Sequence, residues 1–139
     1  MSQSGKYPST NRSAGVEPES VHYVLEEIKE EQMSDAISRK LVVGQNEMLG
    51  FVYLKKGAIV PVHKHVSEQI TVIEKGALEF TLQGKKVVVR EGEILVIPPN
   101  VEHAAVALDD TVDLDCFSPL REDWLKKTDA YLRSGTRMP

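Results

Sequence analysis

The feature that most restricts how this chain can fold is the regular spacing of its turns. Lys75-Gly76, Gln83-Gly84 and Glu91-Gly92 cut the middle of the sequence into the short apolar runs Ile70–Ile73, Leu78–Leu82 and Val87–Val89, with turn signals every eight to ten residues. Runs this short leave no room for long amphipathic helices. Leu78, Phe80 and Leu82 alternate with Glu79, Thr81 and Gln83, as strands do when one face is buried and the other wet. Upstream, Ile37 to Val43 and Met48 to Leu54 flank the turn residues Gly44-Gln45-Asn46, the pattern of a hairpin, and Lys55-Lys56-Gly57 turns the chain into the next strand. Short strands at this spacing predict an all-β sandwich or barrel.

A chain of 139 residues favours one domain with a substantial core. Residues 1 to 20 are polar and rich in Ser, Pro, Gly and Asn, so they are expected to form a disordered arm, the alternative being an arm that exchanges onto a partner subunit. The domain is expected over 21–133, with a frayed tail over 134–139. The charge run Glu26 to Glu31 reads as a solvated face. Net charge is −4, which argues against a nucleic-acid surface. A single cysteine, Cys116, excludes an internal disulfide and fits a reducing compartment. No apolar run is long enough to span a bilayer, and the polar start lacks the apolar segment of a secretory signal. The expected location is therefore the cytoplasm, with no membrane partner.

The stretch Gly57 to Gly76 carries the chemistry. Residues two apart on a strand project to one side, so His63 and His65 point together, and imidazole pairs suit a metal. Gln69 offers a third donor and the distant His103 a fourth. Glu68 is a charged rival, but continued alternation gives Gln69 the parity of the two histidines. Farther on, Asp113, Asp115 and Phe117 share one face of a strand and Val112, Leu114 and Cys116 the other. His103, Ala105 and Ala107 also share a parity, and the small alanines beside a ligand leave a cavity. Leu120, Trp124, Lys127 and Tyr131, broadened by Leu125 and Leu132, have helical spacing, which predicts a C-terminal helix over 120–133 with Trp124 in the core or an interface.

These residues resemble the cupin family. Its first motif, Gly, five residues, His-x-His, three or four residues, an acid or Gln, six residues, Gly, is matched by Gly57, His63, His65, Gln69 and Gly76. In its second motif Gly92, Pro98 and His103 fall in place, while Asn100 replaces a glycine and Ala107 the closing asparagine. Asparagine is the non-glycine residue most tolerant of positive φ. The likeness implies a double-sheet jelly-roll barrel, here with a short C-terminal helix. It also implies one divalent metal, Zn, Ni, Mn or Fe, on His63, His65, Gln69 and His103. With Gln rather than Glu the donors are all neutral, the ion keeps its full charge, and an anionic ligand is favoured.

Over residues 22 to 126 the chain is similar to the KdgF-type cupins of pectin and alginate breakdown. The likeness is carried by His-x-His-x-x-Glu-Gln, by the Ile-Pro-Pro-Asn-Val-x-His run and by Asp115 to Trp124. It implies a homodimer that opens 4,5-unsaturated uronate monosaccharides to linear 4-deoxy-5-keto uronates. Asp115 would handle a proton, Arg121 would pair the carboxylate of this small anionic sugar, and Phe117 would shape the pocket. Read without the resemblance, Asp115 is a strand-end carboxylate, Phe117 is core, and Arg121 pairs with Glu122 or Asp123. Two other classes use the same ligand set: an Fe(II) cupin dioxygenase, and a non-enzymatic sugar or small-acid binding module.

Overall fold

The computed structural model describes residues 19–133. Nearly all of the expected arm, and the tail over 134–139, lie outside the described residues. Ten strands form: β1 (Glu31–Gln32), β2 (Ile37–Val43), β3 (Met48–Leu54), β4 (Ile59–His63), β5 (Glu68–Lys75), β6 (Ala77–Leu82), β7 (Lys85–Arg90), β8 (Ile94–Ile97), β9 (His103–Ala107) and β10 (Thr111–Ser118). One sheet has the order β1-β2-β3-β10-β5-β8 and the other β4-β9-β6-β7. Every pairing is antiparallel. This is the jelly-roll architecture, and its core lies between the sheets, where Ile37, Leu41, Val52, Ile73, Leu78 and Phe80 interdigitate.

The turns obey their local chemistry. Gln83 and Gly84 both have positive φ (50° and 80°) and close the β6–β7 hairpin from Leu82 to Lys85, the backbone that matches the twist of the flanking strands. At Gly76, φ is 84° and a Cβ would lie 2.3 Å from the Asp110 carbonyl oxygen, so a side chain fits neither the backbone nor the space. Asn100, standing where the cupin motif has glycine, adopts φ 62°, and its N–H bonds to the His65 carbonyl at 2.8 Å. Ala107, where the motif ends in asparagine, is buried in the core.

Two expectations need correction. The helix over 120–133 is one α turn, α1 (Glu122–Leu125), followed by a 3₁₀ turn at Ala130–Arg133. The break falls at Lys127, which has φ 57° and is exposed rather than part of a buried stripe, and Thr128 N–H caps α1 on the Asp123 carbonyl. Breaking the helix carries Asp129 inward, where it is fully buried against Arg39 of β2. A buried carboxylate needs such a partner, and the apolar spacing alone could not reveal that it was available. Likewise the charge run is not wholly solvated: Glu26 and Glu27 are exposed, but Glu31 pairs with Arg39 and Arg133, each at 3.0 Å. Among the described residues no helix is long and apolar enough to cross a membrane.

Candidate metal centre

Alternation continues without a slip from Pro61 to Gln69: Val62, Lys64, Val66 and Glu68 face solvent while His63, His65, Ser67 and Gln69 turn inward. Glu68 is therefore directed away from the histidines and Gln69, 5% exposed, is directed toward them. His103 opens β9 directly across from His63. The result brings one ring nitrogen from each of His63, His65 and His103 within 4.8 Å of one another.

Each imidazole is oriented by its own backbone. The Nδ1–H of His63 donates to the Pro61 carbonyl, that of His65 to Ser67 and that of His103 to Val101, each at 2.8 Å. A carbonyl only accepts, so the proton sits on Nδ1 and every Nε2 presents a lone pair. Burial is the main cause that lowers all three pKa values, and the Arg121 charge adds to it. His63 is held at about 3 and His65 at about 4, with His103 also below its ordinary range. All three are neutral at physiological pH, the form that binds a metal.

Two observations test whether a cation fits. The Nε2 of His103 is buried with no partner among the described residues, an arrangement that is costly unless something fills it. Gln69 Oε1 lies 3.1 Å from His65 Nε2. The amide orientation follows from its other end: Nε2 of Gln69 donates to Thr71 Oγ1 at 2.8 Å, and that hydroxyl donates onward to Asp115 Oδ1 at 2.7 Å. Two acceptors thus face each other, which repels unless a cation lies beside both. The residues fit a divalent ion, and the all-nitrogen-and-oxygen donor set leaves its identity open.

Strand β10 supplies a second wall. Asp113, Asp115 and Phe117 point inward as their parity predicts, while Val112, Leu114 and Cys116 are only partly buried. Asp115 lies opposite Thr71 of β5. Burial pushes both carboxyls up; Asp113, further raised by the Asp115 charge and hydrogen bond, lies well above the usual range. A proton is therefore favoured on the pair, on the Asp113 side facing Asp115. Its Oδ1 has no partner among the described residues. Asp113 and Thr71 were not singled out from the sequence, although their parity with Asp115 and Gln69 was a signal.

Phe117, 1% exposed, packs edge-on to His65 and to Trp124. Arg121 pairs with Asp123 through Nε and Nη2 at 2.9 and 2.7 Å, one of the partners the sequence offered. Its guanidinium nevertheless lies over Phe117 and Trp124, 5.1 and 4.9 Å from their ring centres. Burial is the largest influence and opposes its charge, but the Asp123 hydrogen bond and charge together with Tyr131 outweigh it and raise the pKa. Trp124 has its place because β3 carries Gly50 beneath it, where a Cβ would lie 2.7 Å from the indole. Tyr131, read from the sequence only as part of a helical stripe, stacks on His63 with ring centres 4.3 Å apart.

A model described as "Cupin domain" matches residues 50–118. The pectin degradation protein KdgF of Dickeya dadantii (strain 3937) is 32% identical over 107 residues, covering 75% of this chain and 97% of the relative. Among solved structures, KdgF from Halomonas sp. superposes with a TM-score of 0.68 at 33% identity, covering 73% of this chain and 96% of that one. A RmlC-like cupin from Shewanella frigidimarina NCIMB 400 gives 0.68 at 28% identity, covering 71% and 90%.

Proposed function

The chain belongs to the cupin family, and from that premise we propose that it is a metal-dependent enzyme opening 4,5-unsaturated uronate monosaccharides to linear 4-deoxy-5-keto uronates. The observation that carries this reading is a single cavity lined by neutral His and Gln donors, a carboxyl pair and a buried arginine. Its relative in D. dadantii is a pectin degradation protein, and pectin is a polymer of uronates. A divalent ion held by His63, His65, Gln69 and His103 supplies positive charge for an anionic sugar when bound.

The remaining chemistry belongs to the protein. Ring opening of the unsaturated sugar is an isomerisation: the anomeric hydroxyl gives up a proton, the C1–O5 bond breaks to leave an aldehyde, and the enol at C5 becomes a ketone as C4 gains a proton. No co-reactant is consumed. Asp115 is the group that moves the proton, because its raised pKa brings it toward neutrality and Asp113 holds a proton beside it. Thr71 orients the Asp115 carboxyl through Oδ1. Arg121 has Nη1 left after Asp123 takes its other side, and it attracts the sugar carboxylate. Phe117 closes the apolar side of the pocket.

We assign the homodimer expected of this family to the outer face of the larger sheet. There Ile70 and Val96 are cross-strand partners, as are Val72 and Ile94, and Ile70, Ile94 and Val96 are exposed. Leu114 and Cys116 of β10 extend this stripe beside Val72 and Ile70. The half-buried free thiol of Cys116 is consistent with a cytoplasmic protein.

The test follows loss of the conjugated alkene's ultraviolet absorbance after a lyase releases unsaturated galacturonate or its alginate counterpart, with spontaneous opening subtracted. Asp115→Asn is expected to lower kcat by roughly 10²-fold or more while metal content stays constant. No acceleration with either sugar rejects the substrate assignment, and full activity in Asp115→Asn moves the proton chemistry to another group.

A further inference from the structure

We propose that Tyr131 is a substrate-binding residue whose phenol O–H donates a hydrogen bond to an anionic oxygen of the bound sugar acid beside the His63 ring. The argument starts from what a phenol can do. Its oxygen has one proton to donate and can accept from others. Arg121 Nη2 donates to it at 2.6 Å and Trp124 Nε1 at 3.0 Å. Neither guanidinium nor indole N–H can accept a bond in return, so the phenol proton is directed elsewhere. Among the described residues no acceptor takes it, although Tyr131 lines the cavity. The missing partner must be an acceptor, and the adjoining Arg121 charge makes an anionic one the best match.

The ring's position is built into the fold. The 3₁₀ turn that carries Tyr131 also carries the buried Leu132, and Asp129 just before it is locked to Arg39. Arg133, its last residue, bonds Glu31 and Asp129. With its face stacked on His63 and its edge on Arg121, the phenol bridges the candidate metal centre and the arginine. Tyr131 lies beyond residues 50–118 matched by the family model, so this wall is contributed by the chain's own C-terminal segment.

Naming the ligand a uronate rests on the function proposed above, and the experiment separates the two. Metal-loaded wild type and Tyr131→Phe are titrated with saturated galacturonate, which cannot undergo the reaction, following the fluorescence of Trp124, the only tryptophan. Loss of a hydrogen bond to a charged group predicts a Kd at least about tenfold higher in Tyr131→Phe. KM for the unsaturated sugar should rise in parallel with kcat within about twofold, the split expected for uniform binding. A merely structural tyrosine would lower the melting temperature and leave Kd unchanged, and that result overturns the proposal.

If the variant does not fold, ¹³Cζ-tyrosine NMR of the wild type decides. One of the four tyrosine signals, sequence-assigned to Tyr131, is expected to move with galacturonate and not with galactose; an unmoved Tyr131 signal overturns the proposal. Galacturonate binding that Tyr131→Phe weakens, without any turnover, rejects the reaction and retains this inference. Turnover with an unchanged Tyr131→Phe rejects this inference alone, and a wild type that does not bind galacturonate overturns it as well.

Discussion

On the histidine wall each imidazole is fixed by a carbonyl two residues away in its own segment, whereas the C-terminal wall is fixed by side chains 90 and 102 residues apart, as Arg39 and Asp129, and Glu31 and Arg133, are. The first arrangement is local: a strand that forms at all presents its histidines in the right tautomer and direction. The second depends on the whole barrel closing first, since Arg39 comes from β2, Glu31 from β1 and Gly50 from β3. It concentrates charge in the interior, where Arg39 is fully buried, paired with Glu31 and Asp129 and stacked 4.5 Å over Trp124. Local positioning gives a metal site little to lose from distant changes. Long-range positioning gives the other wall its shape at the cost of dependence on a few ion pairs.

If the two walls are held independently, each can be broken without the other. His103→Ala removes the candidate ligand whose Nε2 is buried with no partner among the described residues, and it is expected to lower metal affinity by more than about 10²-fold, since even residues that merely support ligands are worth 10–100-fold. Trp124 emission should be preserved, because no contact of its indole is touched. Elemental analysis and fluorescence read the two outcomes; retained metal would remove His103 from the donor set.

Asp129→Asn attacks the other wall. Removing one partner of a buried pair costs about 3–5 kcal/mol, and Glu31, which also pairs Arg39, places the expected loss at about 3 kcal/mol. Thermal unfolding with metal removed measures it. Metal content at saturation should be unchanged, and loss of metal together with stability would show that the walls are one cooperative unit.

The smallest effect is in the pH dependence of the metal-free protein. His63 and His65 titrate at about 3 and about 4 when folded, against about 6.5 unfolded. Below pH 6.5 the unfolded chain binds protons that the folded chain does not, so stability falls as pH drops toward 4 and is fully present above 6.5. The raised Asp113 and Asp115 carboxyls act in the opposite sense, and both proteins in the comparison carry them. The melting temperature of His65→Ala is therefore expected to fall less steeply from pH 7 to pH 4.5 than that of the wild type. Parallel curves would mean that His65 is not held neutral by burial.

The inward placement of the candidate donors was legible because the strand period is two: His63, His65 and Gln69 face one side, and Glu68 the other, by alternation that can be counted in the sequence. Asp115 and Phe117 were legible on the same ground, and Asp113 and Thr71 were equally available to it. Spacing alone did not link His103 to the first pair, but the cupin pattern did. Arg121, Trp124 and Tyr131 show the limit. Their spacing in sequence fits one continuous helix, and nothing local says that Asp129 has a buried cation waiting on β2.

What the sequence determined by itself was the all-β architecture, through turn spacing and alternation, and the inward direction of the candidate metal donors, because both depend on interactions among near neighbours. Only the tertiary structure decided that the last segment breaks at Lys127 and folds Tyr131 onto His63. The physical reason is that a buried ion pair and a stacked phenol stabilise that path, and their partners become neighbours only after the sheets have closed.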